Sequence, residues 1–265
     1  MTARRWWGDF TARQFENLDP ETTIAVLPVA ATEQHGPHLP VATDYAIMEG
    51  MLETLFPLLP GDLDVRFLPI QCVGKSNEHI RVPGTLTVGA TTLIDHWCDL
   101  GDSIARAGIR KLVLLNSHGG NEEIMGIVAR EMRVRHDMLA IKTSWMRFGL
   151  PEGLYSDTER QFGIHGGDVE TSLMLHFRPE TVDLKRVMDF PSTTVDARAR
   201  FGHIAPQGTH AWAWIAGDLN PEGVVGEAGR ASAEKGEATA RYQAEGMAAL
   251  LGEVRDASLA DWLGG

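Results

Sequence analysis

The segment Leu27-Pro-Val-Ala-Ala-Thr-Glu33-Gln-His35-Gly-Pro-His38-Leu-Pro-Val-Ala-Thr-Asp44 leads from an apolar strand into a loop that carries carboxylates and imidazoles. Glu33 and His35 stand two residues apart, so in an extended backbone their side chains leave from the same face. Asp44 follows after a glycine and two prolines have turned the chain. A carboxylate there could bind one metal ion or bridge two, and the pattern therefore predicts a metal site at a strand end.

A second strand end also carries an imidazole. The run Leu112-Val-Leu-Leu115 predicts a buried strand, and it leads into Asn116-Ser-His118-Gly-Gly-Asn121, a turn that opens an amphipathic helix. Ligands bind at the carboxyl ends of the strands in open α/β sheets, so we expect the two strand ends to face one crevice.

A third segment, His165-Gly-Gly-Asp168-Val-Glu170, adds one histidine and two carboxylates at the start of a short helix that Pro179 ends. Its two glycines allow a close approach of the backbone. We expect Asp168 to cap the helix rather than to bind metal, because an acidic side chain is favoured at a helix N-terminus.

Together these segments resemble the creatininase (creatinine amidohydrolase) family. The matching stretches are Glu33-Gln-His35-Gly-Pro-His38-Leu-Pro, Asp44, Phe67-Leu-Pro-Ile, Gly74-Lys-Ser-Asn-Glu-His79, Pro83-Gly-Thr85, Asn116-Ser-His118-Gly-Gly-Asn121 and His165-Gly-Gly-Asp-Val-Glu170-Thr-Ser. They follow in order along most of the chain. The resemblance implies a metal-dependent hydrolase with two divalent ions, Zn, Mn or Fe. Relatives act on cyclic amides, formamides, the tail of a peptide redox-cofactor precursor, or a cyclic keto-sugar.

The resemblance also implies a ligand set. The residues that match metal ligands are Glu33, His35, Asp44 and His118, with Asp44 as the bridge. In creatininase itself the histidine that matches His118 is followed by Tyr-Glu, and that glutamate binds the second metal. This chain has Gly119 and Gly120 at those positions. Glu170 is the natural replacement, and it serves either as a fifth ligand or as a general base.

His165 is the expected catalytic residue, because its family counterpart transfers a proton or stabilises the tetrahedral intermediate. We expect metal-bound hydroxide to cleave a C–N bond in a small cyclic amide, a formamide or a peptide-like amide, since a bound metal can lower the pKa of water to about 7. Creatininase has a tryptophan four residues before this histidine, where this chain has Gln161. Creatinine is therefore not the expected substrate.

Alternation of strand and helix patterns predicts the fold class, an α/β fold with a largely parallel sheet flanked by helices. The predicted strands are 23–29, 65–71, 111–115 and 138–144, and the predicted helices are 45–56, 91–107, 122–135 and a final helix through Ala240 and Val254. Residues 189–229 are expected to form a loop. The 265 residues suit one creatininase-like domain over 1–265.

Composition excludes several other classes of protein. A formal net charge of -12 argues against partners such as nucleic acid or an anionic membrane. The N-terminus has no apolar leader, and no run approaches the length needed to span a bilayer. Cys72 and Cys98 form neither a disulfide framework nor a metal motif. We expect a cytoplasmic enzyme whose partner is a small-molecule substrate.

The roles of five further side chains stay open at this stage. His38 is expected to support the site or the substrate rather than to bind metal. Glu78 and His79 lie in a glycine- and proline-rich loop that could contact substrate. His203 and His210 lie in the late loop beside two tryptophans, where they are either solvated or part of a substrate lid.

Two alternatives to an amidohydrolase remain, namely carbon–carbon cleavage of a cyclic keto-sugar on the same metals and a metal-binding protein without catalysis. A serine triad through Ser117 lacks the Gly-x-Ser-x-Gly elbow that would expose the nucleophile. Relatives form closed oligomers, and the pair Trp6-Trp7 predicts apolar surface that a partner subunit could cover. We therefore expect a homo-oligomer, with a hexamer favoured.

Overall fold

Four parallel strands form the sheet of this computed structural model, which describes residues 4–262. The strands are β1 (Ile24–Val29), β2 (Val65–Phe67), β3 (Lys111–Asn116) and β4 (Leu139–Ser144). Their order is β2-β1-β3-β4, and every neighbouring pair is parallel. All residues of the central strands β1 and β3 are buried, as expected where helices cover both faces. The predicted parallel α/β fold is confirmed.

Nine α-helices accompany the sheet within the described residues. They are α1 (Thr43–Leu55), α2 (Ala90–Arg106), α3 (Glu122–His136), α4 (Asp157–Phe162), α5 (Asp168–Phe177), α6 (Thr194–Arg200), α7 (Ala216–Leu219), α8 (Ala233–Asp256) and α9 (Leu259–Trp262). Helices α1, α5 and α8 pack on one face of the sheet, where Val26 and Val113 point. Helices α2 and α3 pack on the other face, against Leu27 and Leu114. Successive strand residues thus supply opposite halves of the core.

Three sequence predictions differ from the structure. Strand β2 ends at Phe67 instead of reaching residue 71, because Pro69 has no N–H to donate to a ladder. The predicted loop 189–229 contains the short helices α6 and α7, which are too brief to produce a periodic apolar pattern. The pair Trp6 and Trp7 packs on its own chain, with the Trp6 ring 5.4 Å from that of Phe56.

The sheet brings the predicted site segments together. Strands β1 and β3 are neighbours, and Val29 pairs with Asn116 at their carboxyl ends. The segments that follow the two strands therefore leave from the same edge. Asp44 lies in the first turn of α1 and Glu170 in the first turn of α5, and both helices pack on the same face of the sheet. None of the helices within residues 4–262 is long and apolar enough to cross a membrane.

Helix α8 reaches α5 at a point of close backbone contact, and this contact can be tested. A Cβ atom at Gly236 would overlap the carbonyl oxygen of Ser172 on α5, whereas one at Gly252 would meet no described atom within 4 Å. We expect Gly236→Ala to lower the free energy of unfolding by about 1–3 kcal/mol, because the helices must separate.

The matched control is Gly252→Ala on the same helix, which should raise the free energy of unfolding by about 0.5–1 kcal/mol through helix propensity. Urea denaturation of both variants measures the difference. Equal effects of the two substitutions would contradict the close contact between α5 and α8.

Candidate metal centre

The chain gathers histidine and carboxylate side chains at the carboxyl edge of the sheet. Those predicted from the sequence and found together are Glu33, His35, Asp44, His118, His165 and Glu170. They come from the segment after β1, the first turn of α1, the turn after β3 and the start of α5. Glu33 is 0% exposed, and even the more accessible Glu170 side chain is only 25% exposed. Such a concentration of buried ionisable groups is typical of a functional site.

Asp44 lies between two histidines and faces each with a different oxygen atom. Its Oδ1 is 3.5 Å from Nε2 of His35, and its Oδ2 is 3.3 Å from Nδ1 of His118. On the His35 side, Glu170 Oε2 lies 3.7 Å from the same Nε2. On the His118 side, Glu33 Oε1 lies 3.1 Å from Nδ1. The cluster therefore has two groups of donor atoms that share the Asp44 carboxylate.

Several of these donor atoms are buried without a hydrogen-bond partner in the described part of the chain. They are both carboxylate oxygens of Glu33, Nε2 of His35 and Oδ2 of Asp44. A buried carboxylate with no partner is costly, and such groups are normally paired or bound to metal. Carboxylate oxygen and imidazole nitrogen are suitable ligands for Zn, Mn and Fe. The side chains present thus fit a divalent metal centre.

Backbone carbonyl groups orient the two candidate ligand imidazoles. Nδ1 of His35 donates to the carbonyl oxygen of Glu33 at 3.0 Å, and Nε2 of His118 donates to the carbonyl oxygen of Lys75 at 2.9 Å. In the neutral form of each ring, the bond places the proton on the outer nitrogen and leaves the inner nitrogen with a lone pair. Metal-binding histidines are commonly held in this way.

The pKa values in the cluster reflect mutual attraction of opposite charges. Burial opposes a charge on His35, but the carboxylates of Asp44, Glu170 and Glu33 outweigh it and raise the pKa to about 9. Burial also opposes a charge on His118, and Glu33 and Asp44 nevertheless raise its pKa. Burial raises the pKa of Glu170 to about 7. The carboxylates therefore favour positive charge at this edge of the sheet.

Gln34 determines the proton position on His79, a role that the sequence reasoning missed. The Gln34 Oε1 atom accepts from the amide of Gly36, so its Nε2 is the donor, and it donates to the carbonyl of Gly223 at 2.6 Å and to Nδ1 of His79 at 2.7 Å. His79 then keeps its proton on Nε2, which points at Glu33 Oε1 from 3.5 Å. His79 is thus a hydrogen-bond donor in the site.

His165 lies against the cluster with an uncharged ring. Its Nε2 donates to the carbonyl of Gln34 at 2.8 Å, which leaves Nδ1 facing Glu33 Oε1 at 3.7 Å. Its ring centre is 4.1 Å from that of His35 and 4.3 Å from that of His79. Burial, reinforced by the two neighbouring imidazoles, lowers the pKa of His165 well below its usual value.

His38, Asp168 and Glu170 have distinct contacts near His165. His38 lies outside the donor cluster, and its Nε2 donates to the carbonyl of Gly166 at 3.1 Å. Asp168 does not cap α5 through its side chain, because the cap position is Gly167. Its buried carboxylate accepts a hydrogen bond from Ser172 and forms an ion pair with Lys235 instead. Glu170 is held in place by the amide of Gly166, 2.6 Å from Oε2.

A cavity of about 910 Å³ opens onto the cluster. Its polar and aromatic lining includes Glu33, Glu78, His79, His118, His165, Lys142, Arg147, Trp212 and Trp214. His203 and His210 are exposed and pack edge to face with ring centres 6.0 Å apart, outside this lining. The late loop therefore contributes its tryptophans to the cavity wall rather than its histidines.

The buried carboxylate of Glu159 holds the loop that carries His165, and nothing in the sequence pattern pointed to it. It accepts hydrogen bonds from the backbone amides of Val169 at 3.2 Å and Glu227 at 2.7 Å. The segment before Glu227 pairs with the loop, since the amide of Val225 donates to the carbonyl of His165 at 2.8 Å. Glycines surround the carboxylate, and a Cβ at any of them would collide with it: Gly163, Gly167 and Gly226.

Comparison with known proteins gives consistent results. The family model described as creatinine amidohydrolase matches residues 8–251. A creatinine amidohydrolase of Pseudomonas putida is 30% identical over 262 residues, which cover 93% of this chain and 95% of that protein. A mycofactocin precursor peptide peptidase of Mycolicibacterium smegmatis is 31% identical, and the match spans 66% of this chain but only 65% of the peptidase. A 3-dehydro-scyllo-inosose hydrolase of Thermotoga maritima is 30% identical over 91% of this chain and 78% of that protein.

Solved structures resemble the whole fold. A tryptophan-to-alanine mutant of creatininase has a TM-score of 0.75 at 25% identity and covers 95% of this chain and 99% of its own. A creatininase structure described as the manganese form has a TM-score of 0.72 at 25% identity, with 94% of this chain and 97% of that chain covered.

The hydrogen bonds of Glu159 lead to a test of the loop that carries His165. Glu159→Ala leaves the backbone amides of Val169 and Glu227 without this acceptor, and an unsatisfied buried group costs about 1–3 kcal/mol. We expect the free energy of unfolding to fall by about 2–4 kcal/mol in urea denaturation. Glu159→Gln keeps one acceptor oxygen, so its free energy of unfolding should fall by less than that of Glu159→Ala. Glu152→Ala, at an exposed position, is the control; a loss there as large as in Glu159→Ala would refute this account.

Proposed function

The chain belongs to the creatininase family, and from that premise we propose that it is a metal-dependent amidohydrolase that cleaves a C–N bond. The observation that carries the proposal is the position of Asp44, whose two oxygens face His35 and His118 at 3.5 and 3.3 Å. The buried, unpartnered oxygens of Glu33 add to its support. A single domain over the whole chain is part of the proposal.

In this proposal the donor atoms hold two divalent ions. His35, Asp44 and Glu170 would hold one, and Glu33, His118 and Asp44 would hold the other. Ions of this kind lower the pKa of a bound water and polarise a carbonyl oxygen. Since Glu170 Oε2 faces His35 Nε2 and is fixed by the amide of Gly166, its geometry supports the ligand role over the general-base role.

His165 and His79 have complementary proton positions for the reaction. Nε2 of His165 donates to a backbone carbonyl, so Nδ1 can take up a proton beside the donor cluster and return it to the leaving nitrogen. Nε2 of His79 carries a proton that faces the same space and can stabilise negative charge on the carbonyl oxygen. The backbone and Gln34 fix both rings before substrate binds.

The shape of the cavity supports a substrate larger than creatinine. Gly119 presents no side chain, and Gln161 is exposed on α4 and absent from the cavity lining of the described chain. Trp212 and Trp214 line the wall instead, in a cavity of about 910 Å³. We propose a formamide or a peptide-like amide as the substrate.

A cyclic keto-sugar is the second candidate. It is favoured by the match to the Thermotoga maritima hydrolase over 91% of this chain, a wider match than that to the peptidase. Such a substrate would use the same donor atoms, and the polar groups of the lining, such as Lys142 and Asn77, could bind its hydroxyls.

We also propose a homo-oligomer, with a hexamer favoured. Its support no longer comes from Trp6 and Trp7, which pack on their own chain. It comes from the loop after His79, where Ile80, Val82 and Leu86 are 59%, 41% and 53% exposed. Adjacent apolar side chains of this kind are commonly covered by a partner subunit.

The metal centre can be tested by elemental analysis of the purified protein. We expect about two transition-metal ions per chain, as in two-metal hydrolases. Asp44→Ala should lose both ions, because both donor groups share this carboxylate, while Asp95→Ala on the exposed face of α2 should keep them. A wild type without metal would remove the basis of the proposed function.

The substrate and the role of His165 are tested together with a panel of creatinine, formamides, short peptide amides and cyclic keto-sugars. We expect little or no creatinine hydrolysis and measurable cleavage of a formamide or peptide-like amide. His165→Ala should lower kcat by about 10²–10⁴-fold with unchanged metal content, since its role is proton transfer. His203→Ala, outside the cavity lining, is the control. Rapid creatinine turnover would contradict the substrate proposal, and metal loss in His165→Ala would contradict the role.

A further inference from the structure

Gly120 lies at a position where no side chain fits. A Cβ atom there would overlap the carbonyl oxygen of Lys75, the Oε1 atom of Glu78 and Nε2 of His118. The neighbouring Gly119 differs, because a Cβ at that position would meet no described atom within 4 Å. The space beside Gly120 is therefore filled by the carboxylate of Glu78, which arrives from the loop after β2.

The Glu78 carboxylate is close to the donor atoms of the metal centre. With Glu33 and His118 it forms a group in which one donor atom from each residue lies within 4.8 Å of the others. Its Oε1 is 3.9 Å from Nε2 of His118, the ring nitrogen that also faces the Lys75 carbonyl, and its side chain is 17% exposed. Glu78 also lines the cavity.

No other side chain or amide in the described range donates a hydrogen bond to this carboxylate. The adjacent Lys75 directs its ammonium group to Asn77 instead. The largely buried carboxylate thus faces the cavity without a partner from another residue. Buried carboxylates in this condition are normally paired with a cation.

We propose that Glu78 is a metal ligand on the Glu33 and His118 side of the centre. Its carboxylate occupies the space that a side chain at Gly120 would take. His79, its neighbour, is unsuited to this role because Gln34 keeps a proton on the nitrogen that faces the site. The inference rests on the proposed function, since it assumes that the cluster binds metal.

Equilibrium dialysis of the full chain against graded concentrations of Mn²⁺ tests this ligand without any substrate. We expect the wild type to bind two ions, and Glu78→Gln to weaken one of the two bindings by at least about tenfold while the other is unchanged. Glu123→Gln removes an exposed carboxylate from the same cavity lining and should change both affinities by less than about twofold. Glu78→Asp, a shorter carboxylate, should lie between wild type and Glu78→Gln.

A second pair of variants tests the same point through the glycines. Gly120→Ala should weaken the same Mn²⁺ binding, because its methyl group would overlap the Glu78 carboxylate, the Lys75 carbonyl and the His118 ring, whereas Gly119→Ala should not. Thermal melting in the absence of metal identifies any glycine variant that fails to fold. In that case the comparison of Glu78→Gln with Glu123→Gln decides whether Glu78 is a ligand.

The outcomes separate this inference from the proposed function. Wild-type affinities in Glu78→Gln, or equal losses in Glu78→Gln and Glu123→Gln, would overturn the ligand role of Glu78 and leave the amidohydrolase proposal intact. A wild type that binds no Mn²⁺ would overturn both.

Discussion

The buried carboxylate of Glu33 is the constraint on which the site depends. Glu33 is 0% exposed, and neither of its oxygens has a hydrogen-bond partner in the described chain. Removing a carboxylate from water costs several kcal/mol unless a positive charge compensates. The nearest compensating group is His118, with Nδ1 3.1 Å from Oε1. The surrounding histidines and the candidate metal ions both provide positive charge that compensates the charge of Glu33.

Hydrogen bonds to backbone carbonyls convert this attraction into a specific arrangement. His35, His118 and His165 each donate one ring N–H to a carbonyl oxygen, of Glu33, Lys75 and Gln34 respectively. In its neutral form every ring therefore directs the nitrogen with the lone pair toward the carboxylates. In a neutral histidine the hydrogen bond made by one ring nitrogen decides which nitrogen carries the proton. The arrangement is a property of the fold, because it depends on where the loops after β1 and β2 place their carbonyl groups.

The strands and the main donor residues could be predicted from the sequence because both depend on local patterns. Apolar runs mark buried strands, and a carboxylate and an imidazole two residues apart mark a shared face, as Glu33 and His35 illustrate. The parallel order of the sheet follows from the alternation of strands and helices. Short helices such as α6 and α7 carry no such period, and Pro69 shortened β2 through a missing donor rather than through polarity.

Contacts between distant segments could not be predicted in the same way. Gln34 meets the carbonyl of Gly223 across 189 positions, and Glu159 meets the amide of Glu227 across 68. A glutamine or a glutamate in isolation gives no sign of such a partner. Trp6 illustrates the opposite error, since a pair of aromatic residues near a polar terminus suggested free surface, yet its ring packs on Phe56.

Around this centre, carboxylates fill the space beside glycines, and this packing affects which substrates the cavity can accept. Gly120 leaves space that the Glu78 carboxylate fills, and Gly163, Gly167 and Gly226 surround that of Glu159. In our proposal the Glu78 carboxylate, which comes from the loop after β2, supplies negative charge beside the candidate metal centre. Gly119 and Gly120 line the cavity after His118 and add no side chains to its wall. Metal binding depends on the local charge and substrate choice on the wall, so a member of this family can acquire a new substrate without rebuilding its metal centre.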